Sequence, residues 1–132
     1  MLTTFIISIY NKITAKSPIS KIFNISILIV NSGSMYPEID VGDAIIILKK
    51  QNYNVGDIIT YLVENKYLVT HRIIDKKEDN FITKGDYNNS KDKEKVKKEN
   101  IQGKVIFHSK ILGWIIKYSV IILIILIFLL II

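Results

Sequence analysis

The sequence predicts a mainly β fold: a small, strongly bent sheet or partial barrel, followed by a C-terminal transmembrane helix. Three observations carry this expectation. Short apolar or alternating runs, separated by turn residues, fill the region between residues 22 and 110. That region shows no long 3.6-residue period and no internal repeat. Ile111 to Ile132 is almost wholly apolar. The expected organisation is an N-terminal apolar segment over 1–21, a β-rich domain over 22–110 and a membrane helix over 111–132.

The first ten residues, MLTTFIISIY, are apolar but too short to span a bilayer. Lys12, Lys16 and Lys21 follow them, with Pro18 among the lysines. A secretory signal peptide carries its positive charges before its apolar core, the reverse of this order. The segment therefore reads as an interfacial segment or the remnant of an anchor. Ile22 to Asn31 is rich in β-branched residues and ends at the turn signal Ser32-Gly33-Ser34. Ala44 to Lys49, Ile58 to Val63, Tyr67 to Ile74, Phe81 to Lys84 and Ile101 to His108 supply further strands. Asn54, Gly56-Asp57 and Glu64-Asn65 mark turns between them. Ser90 to Asn100 is a charge run, read as a solvated loop or short exposed helix. Coiled as a helix, residues 111–132 would be about 33 Å long, enough for a bilayer core of ~30 Å. Trp114 and Tyr118 suit the headgroup level, and Lys117 could snorkel there.

Composition narrows the function classes. The chain has 132 residues, a formal net charge of +6 and no cysteine. A disulfide framework and a cysteine-based metal site are both excluded. The basic balance fits nucleic acid or an anionic membrane surface, and the apolar tail favours the membrane. The lysine-rich run from Lys91 to Lys98 contains no aromatic residue on which a base could stack.

The residues that could do chemistry are few. A serine hydroxyl becomes a useful nucleophile only with an adjacent base, a group that orients the base, and donors for an oxyanion. Ser34 sits in the string Asn31-Ser32-Gly33-Ser34-Met35-Tyr36-Pro37, where Gly33 allows close backbone approach and Pro37 stiffens the exit. An ordinary Ser/Gly turn would have the same local composition. Of the two histidines, His71 follows the alternating run Tyr67-Leu68-Val69-Thr70 and precedes Arg72. Strand geometry sends His71 and Arg72 to opposite faces, so that one can line a cleft. A neutral imidazole near pH 7 can take a serine proton. Asp86 and Asp92 are both available to accept a bond from the imidazole, and both are also ordinary turn residues. A Ser–Lys pairing with Lys66 or Lys84 is a variant of the same chemistry.

Together these strings resemble the type I signal peptidase family, in its endoplasmic-reticulum and archaeal branch. Ser32-Gly33-Ser34-Met35-Tyr36-Pro37 matches the nucleophile motif, followed at family spacing by Gly42-Asp43. Gly56-Asp57 with Ile58-Ile59-Thr60-Tyr61 matches the second strand block, and Thr70-His71-Arg72-Ile73 matches the block holding the base. Thr83-Lys84-Gly85-Asp86, with Asn88-Asn89 and Asp92, matches the acidic block. The resemblance runs from about Ile25 to Ile106. The ordinary bacterial branch carries a lysine base at the place of His71, so the Ser–His branch is implied.

The resemblance implies a bent β-sheet of the signal peptidase type and a serine endopeptidase that removes N-terminal signal peptides at a membrane surface. It implies Ser34 as nucleophile, His71 as general base, Asp92 as the acid that orients the histidine, and Asp86 as a supporting acid. Ser32 and Met35 fall at oxyanion and substrate positions, and the backbone N–H of Ser34 would donate to the oxyanion. No metal or organic cofactor is implied. The implied partners are preproteins bound as an extended strand and the lipid bilayer, without nucleic acid. The implied location is a prokaryotic cell membrane, with the active site on the extracytoplasmic side. Relatives usually have a transmembrane helix before the nucleophile strand, where this chain has a short, lysine-broken segment. A catalytically silent, membrane-anchored scaffold with the same fold is the alternative from another functional class.

Overall fold

The computed structural model describes residues 24–132. The expected interfacial segment over 1–21 and the expected start of the first strand at Ile22 lie outside the described residues. The elements are β1 (Ile25–Ile29), β2 (Ala44–Leu48), β3 (Ile58–Val63), β4 (Tyr67–Lys77), β5 (Asn80–Lys84), β6 (Val96–Lys97), β7 (Ile101–Ser109) and α1 (Lys110–Ile131). They form one seven-stranded sheet in the order β1-β2-β7-β3-β4-β5-β6, followed by the helix. Every pairing is antiparallel.

The strands form where short runs rich in β-branched and aromatic residues lie between turn residues. Between β3 and β4, Glu64 and Asn65 both take left-handed backbone angles (φ 53° and 52°). That is the geometry a tight hairpin needs to match the strand twist. The bend of the sheet has a local cause. The pairing register shifts between Ile46 and Ile47, between Thr60 and Tyr61, and between Ile73 and Asp75. Each irregularity kinks its strand and increases the local twist.

Two apolar clusters hold the sheet. One contains Tyr53, Ile59, Tyr61, Ile73, Phe81, Val96 and Ile101. The other contains Met35, Ile39, Ile45 and Ile47, with Leu28, Val30, Ile58 and Val105 packed against it. Burying each such side chain contributes roughly 1.5–3 kcal/mol relative to leaving it in water.

Three differences from the expectation have physical reasons. The first strand ends at Ile29; Val30 still bonds to the 42–43 segment, its N–H donating to the Asp43 carbonyl at 2.9 Å and its carbonyl accepting from the Gly42 N–H at 2.8 Å, before the chain enters the turn that holds Ser34. The charge run is neither wholly solvated nor α-helical. Val96 is buried, and Val96–Lys97 pairs with Asn80 and Phe81 before a 3-10 turn over Lys98–Asn100. One apolar side chain with a strand edge to join outweighs the charge of its neighbours. The C-terminal helix starts at Lys110 because Ser109 caps it, accepting from the Leu112 N–H at 3.1 Å.

Helix α1 is long and apolar enough to cross a membrane. Gly113 is its one buried residue. A Cβ there would lie 1.9 Å from the Gly42 carbonyl oxygen, so only glycine lets the first turn rest on the 40–44 segment. Lys110 reaches Asp40 at 3.2 Å beside that contact.

Candidate active site

Strand register builds the site. On β3 and β4, Ile59 lies opposite His71 and Tyr61 opposite Val69. Thr83 on β5 lies opposite Ile73 on β4. Side chains two apart along a strand share a face, so Tyr61, His71 and Thr83 project to the same side of the sheet. Arg72, one residue on, projects to the other.

Ser34 reaches this face from the turn after β1. It is half-buried, and its carbonyl accepts the Tyr87 N–H at 2.9 Å. Gly85 makes this approach possible, because a Cβ there would meet the Ser34 carbonyl oxygen at 2.6 Å. The loop after β5 folds back through a bond from the Asp92 N–H to the Thr83 carbonyl at 2.8 Å. That bond carries the Asp92 carboxylate under the imidazole.

The three side chains meet in a line. His71 Nε2 lies 3.2 Å from Ser34 Oγ, and His71 Nδ1 lies 2.6 Å from Asp92 Oδ2. A carboxylate accepts only, so the proton of the neutral ring belongs on Nδ1. Nε2 then faces the hydroxyl as an acceptor. His71 is 8% exposed, which protects this geometry from competing water.

Asp92 Oδ2 has further neighbours. Thr83 Oγ1 donates to it at 2.7 Å and Tyr61 OH at 3.1 Å. Burial pushes the Tyr61 phenol well above the usual tyrosine range, and the Asp92 charge acts in the same direction. Sequence reasoning assigned neither Tyr61 nor Thr83 a role. A signal existed: both are polar residues on the buried phase of their strands, with Ile59 and Phe81 as their same-face neighbours.

The remaining expected residues lie around this array, each with its own contacts. Asp86 forms two bonds with Arg72, Nε to Oδ1 at 2.9 Å and Nη2 to Oδ2 at 2.7 Å. Hydrogen bonding to Asp86 holds the guanidinium above its ordinary range. Asp86 thus braces a neighbouring residue of the same strand, on the opposite face from the imidazole. Ser32 Oγ lies 3.4 Å from Ser34 Oγ on the exposed side. Met35 is 2% exposed and packs in the cluster with Ile39, Ile45 and Ile47. Its side chain is committed to the core, which leaves only its backbone for any contact with substrate. Lys66 is exposed in the β3–β4 turn, and Lys84 lies opposite Arg72 in the β4–β5 register. The place beside Ser34 Oγ is taken by His71. The second histidine, His108, faces Glu38 at 3.5 Å and Asp43 at 3.9 Å. Among the described residues, no three His, Asp or Glu side chains are grouped so as to hold a metal ion.

Residues 8–106 match the family described as Peptidase S24-like. The chain belongs to the Peptidase S24-like family. Two relatives are named as signal peptidases and support a place among the type I signal peptidases. Signal peptidase I W of Bacillus subtilis is 36% identical over 88 residues, which is 61% of this chain and 46% of the relative. The signal peptidase complex catalytic subunit SEC11 of Eremothecium gossypii is 36% identical over 73 residues, 50% of this chain and 44% of the relative. The chain thus spans less than half the length of either relative. Within the Peptidase S24-like match lie β1 to β6 and most of β7, and hence every side chain of the site. The apolar helix lies beyond it and fits association with a membrane.

Proposed function

We propose that this chain is a membrane-anchored serine endopeptidase that removes N-terminal signal peptides from secreted or membrane proteins. The observation that carries the reading is the line from Ser34 Oγ to His71 Nε2 (3.2 Å) and from His71 Nδ1 to Asp92 (2.6 Å). In this reading Ser34 Oγ attacks the carbonyl carbon of the scissile bond while its proton passes to Nε2. The imidazolium so formed is held against the Asp92 carboxylate. The developing oxyanion takes hydrogen bonds from the Ser34 N–H and the Ser32 hydroxyl. Nε2 then returns the proton to the leaving amine, and a water molecule, deprotonated by the same nitrogen, releases the acyl group from Ser34. Asp86 supports the site through Arg72.

The precursor binds as an extended strand, with small side chains before the cut, and α1 keeps the site at the bilayer where such precursors emerge. The proposed location is a prokaryotic cell membrane with the site on its extracytoplasmic side. The test is Ser34→Ala in the purified full chain, in detergent micelles, with a precursor cut after Ala-Xaa-Ala. Loss of cleavage with unchanged circular dichroism is the expected result. Undiminished cleavage would overturn the assignment of Ser34. A wild-type chain that neither cleaves nor takes up a serine-directed acylating probe would instead be a silent scaffold.

A further inference from the structure

We infer that Thr83 and Tyr61 are positioning residues that hold Asp92, and through it His71, in the geometry that activates Ser34. The inference rests on the endopeptidase reading above and extends it to two residues that touch no reacting atom.

The proton inventory makes the case. Asp92 Oδ2 lies within hydrogen-bond distance of His71 Nδ1 (2.6 Å), Thr83 Oγ1 (2.7 Å) and Tyr61 OH (3.1 Å). Thr83 and Tyr61 bring one proton each, and a carboxylate oxygen brings none. The Thr83 proton has its shortest acceptor in Asp92. The Tyr61 proton is then shared between Asp92 and the Thr83 oxygen, also 3.1 Å away. Three donors on one oxygen leave the carboxylate little freedom to rotate. A carboxylate oxygen held in this place in turn keeps the ring proton on Nδ1 and the lone pair on Nε2.

Both residues are costly to place there for packing alone. Thr83 is 0% exposed and Tyr61 is 5% exposed. Burying a hydroxyl in an apolar cluster is unfavourable unless it finds a partner, and here both hydroxyls find the same one. Tyr61 also sets its ring edge-on to the imidazole, with centroids 6.5 Å apart and planes at 70°. It therefore bounds two members of the array at once. A valine and a phenylalanine would fill the same volumes without the protons.

The experiment uses the full chain in detergent micelles and separates positioning from packing. Thr83→Val and Tyr61→Phe keep shape and remove the donor, whereas Thr83→Ser keeps the donor and removes a methyl. With a synthetic peptide cut after Ala-Xaa-Ala, Thr83→Val should lower kcat about tenfold, with KM changed less than about twofold. The acid limb of its pH–rate profile should also shift, and Thr83→Ser should restore most of both. A second arm needs no turnover. In Ser34→Ala protein, the downfield proton resonance of His71 Nδ1, assigned by its loss in His71→Ala, should move or broaden on adding Thr83→Val or Tyr61→Phe. Wild-type kcat, pH profile and resonance in both donor-less variants would overturn the inference. So would a Thr83→Ser variant as impaired as Thr83→Val, which would assign the effect to packing. If Thr83→Val fails to fold, Tyr61→Phe decides by the same readouts. Absence of cleavage by the wild type would sink the endopeptidase reading alone, and the resonance arm would still decide whether these hydroxyls hold the ring.

Discussion

The Asp86 carboxylate grips Arg72 with both oxygens, at 2.9 and 2.7 Å, while His71, one residue earlier on the same strand, rests against Asp92. Two acids six residues apart in one loop therefore serve opposite faces of β4. Their replacement should separate cleanly. Asp92→Asn should lower kcat by about 10³–10⁴-fold, because an amide can present the wrong partner to Nδ1 and favour the wrong tautomer. Asp86→Asn should cost about 1 kcal/mol of stability, since the Arg72 pair is partly open to solvent, and it should leave cleavage within about tenfold. Peptide cleavage and urea midpoints on the two variants check this. Equal losses of kcat would contradict the division.

Gly85 is a contact between the acidic loop and Ser34. Its missing side chain leaves room for the Ser34 carbonyl and the Asn88 amide, each 2.6 Å from where a Cβ would stand. Gly85→Ala must displace backbone rather than a flexible tip. If Ser34 is the nucleophile as proposed, a shift of about 1 Å there should cost on the order of 100-fold in kcat. Overpacking should cost about 1–3 kcal/mol of stability. A thermal-melt series and steady-state kinetics on the same preparation would measure both.

Val96 anchors the charged segment that carries Asp92. It is 4% exposed and sits in the cluster with Phe81 and Ile101. Val96→Ala should destabilise by about 1–3 kcal/mol, whereas Lys95→Ala next to it should change stability by less than about 0.5 kcal/mol. Denaturant titration of the two variants compares them directly. An equal, small effect of both would mean that the charge run is a free loop.

Tyr61 makes stability depend on alkaline pH. Burial raises the phenol's pKa in the folded protein above its ordinary value of 10.0. The folded state therefore keeps its proton after the unfolded chain has begun to lose it. The stabilisation is fully present below pH 10 and is lost as pH rises from there through the higher folded value. Tyr53 is shifted the same way, chiefly by burial, and adds to the slope. Tyr61→Phe should flatten the fall in urea midpoint between pH 9.5 and 11. An unchanged slope would show that the phenol is more open to solvent than its 5% exposure states.

Much of this protein was legible in the sequence, because the relevant forces are local. A short, mostly apolar run between the turn residues Gly56-Asp57 and Glu64-Asn65 marked the bounds of β3, and a long apolar run defines a helix that satisfies its own backbone in any surroundings. The type of each candidate residue also follows from chemistry alone: a serine needs a base, and only two histidines were available. The partners of those residues depend on strand register and bulges, which sum contacts between residues far apart in the chain. The shift between Ile73 and Asp75 and the bond from Asp92 to Thr83 decide which acid lies beneath the imidazole. Burial decides that Met35 belongs to the core and that Tyr61 and Thr83 belong beside the carboxylate. No local pattern encodes which buried hydroxyl shares a proton with which oxygen, because that depends on side chains from three strands and a loop meeting in one small volume.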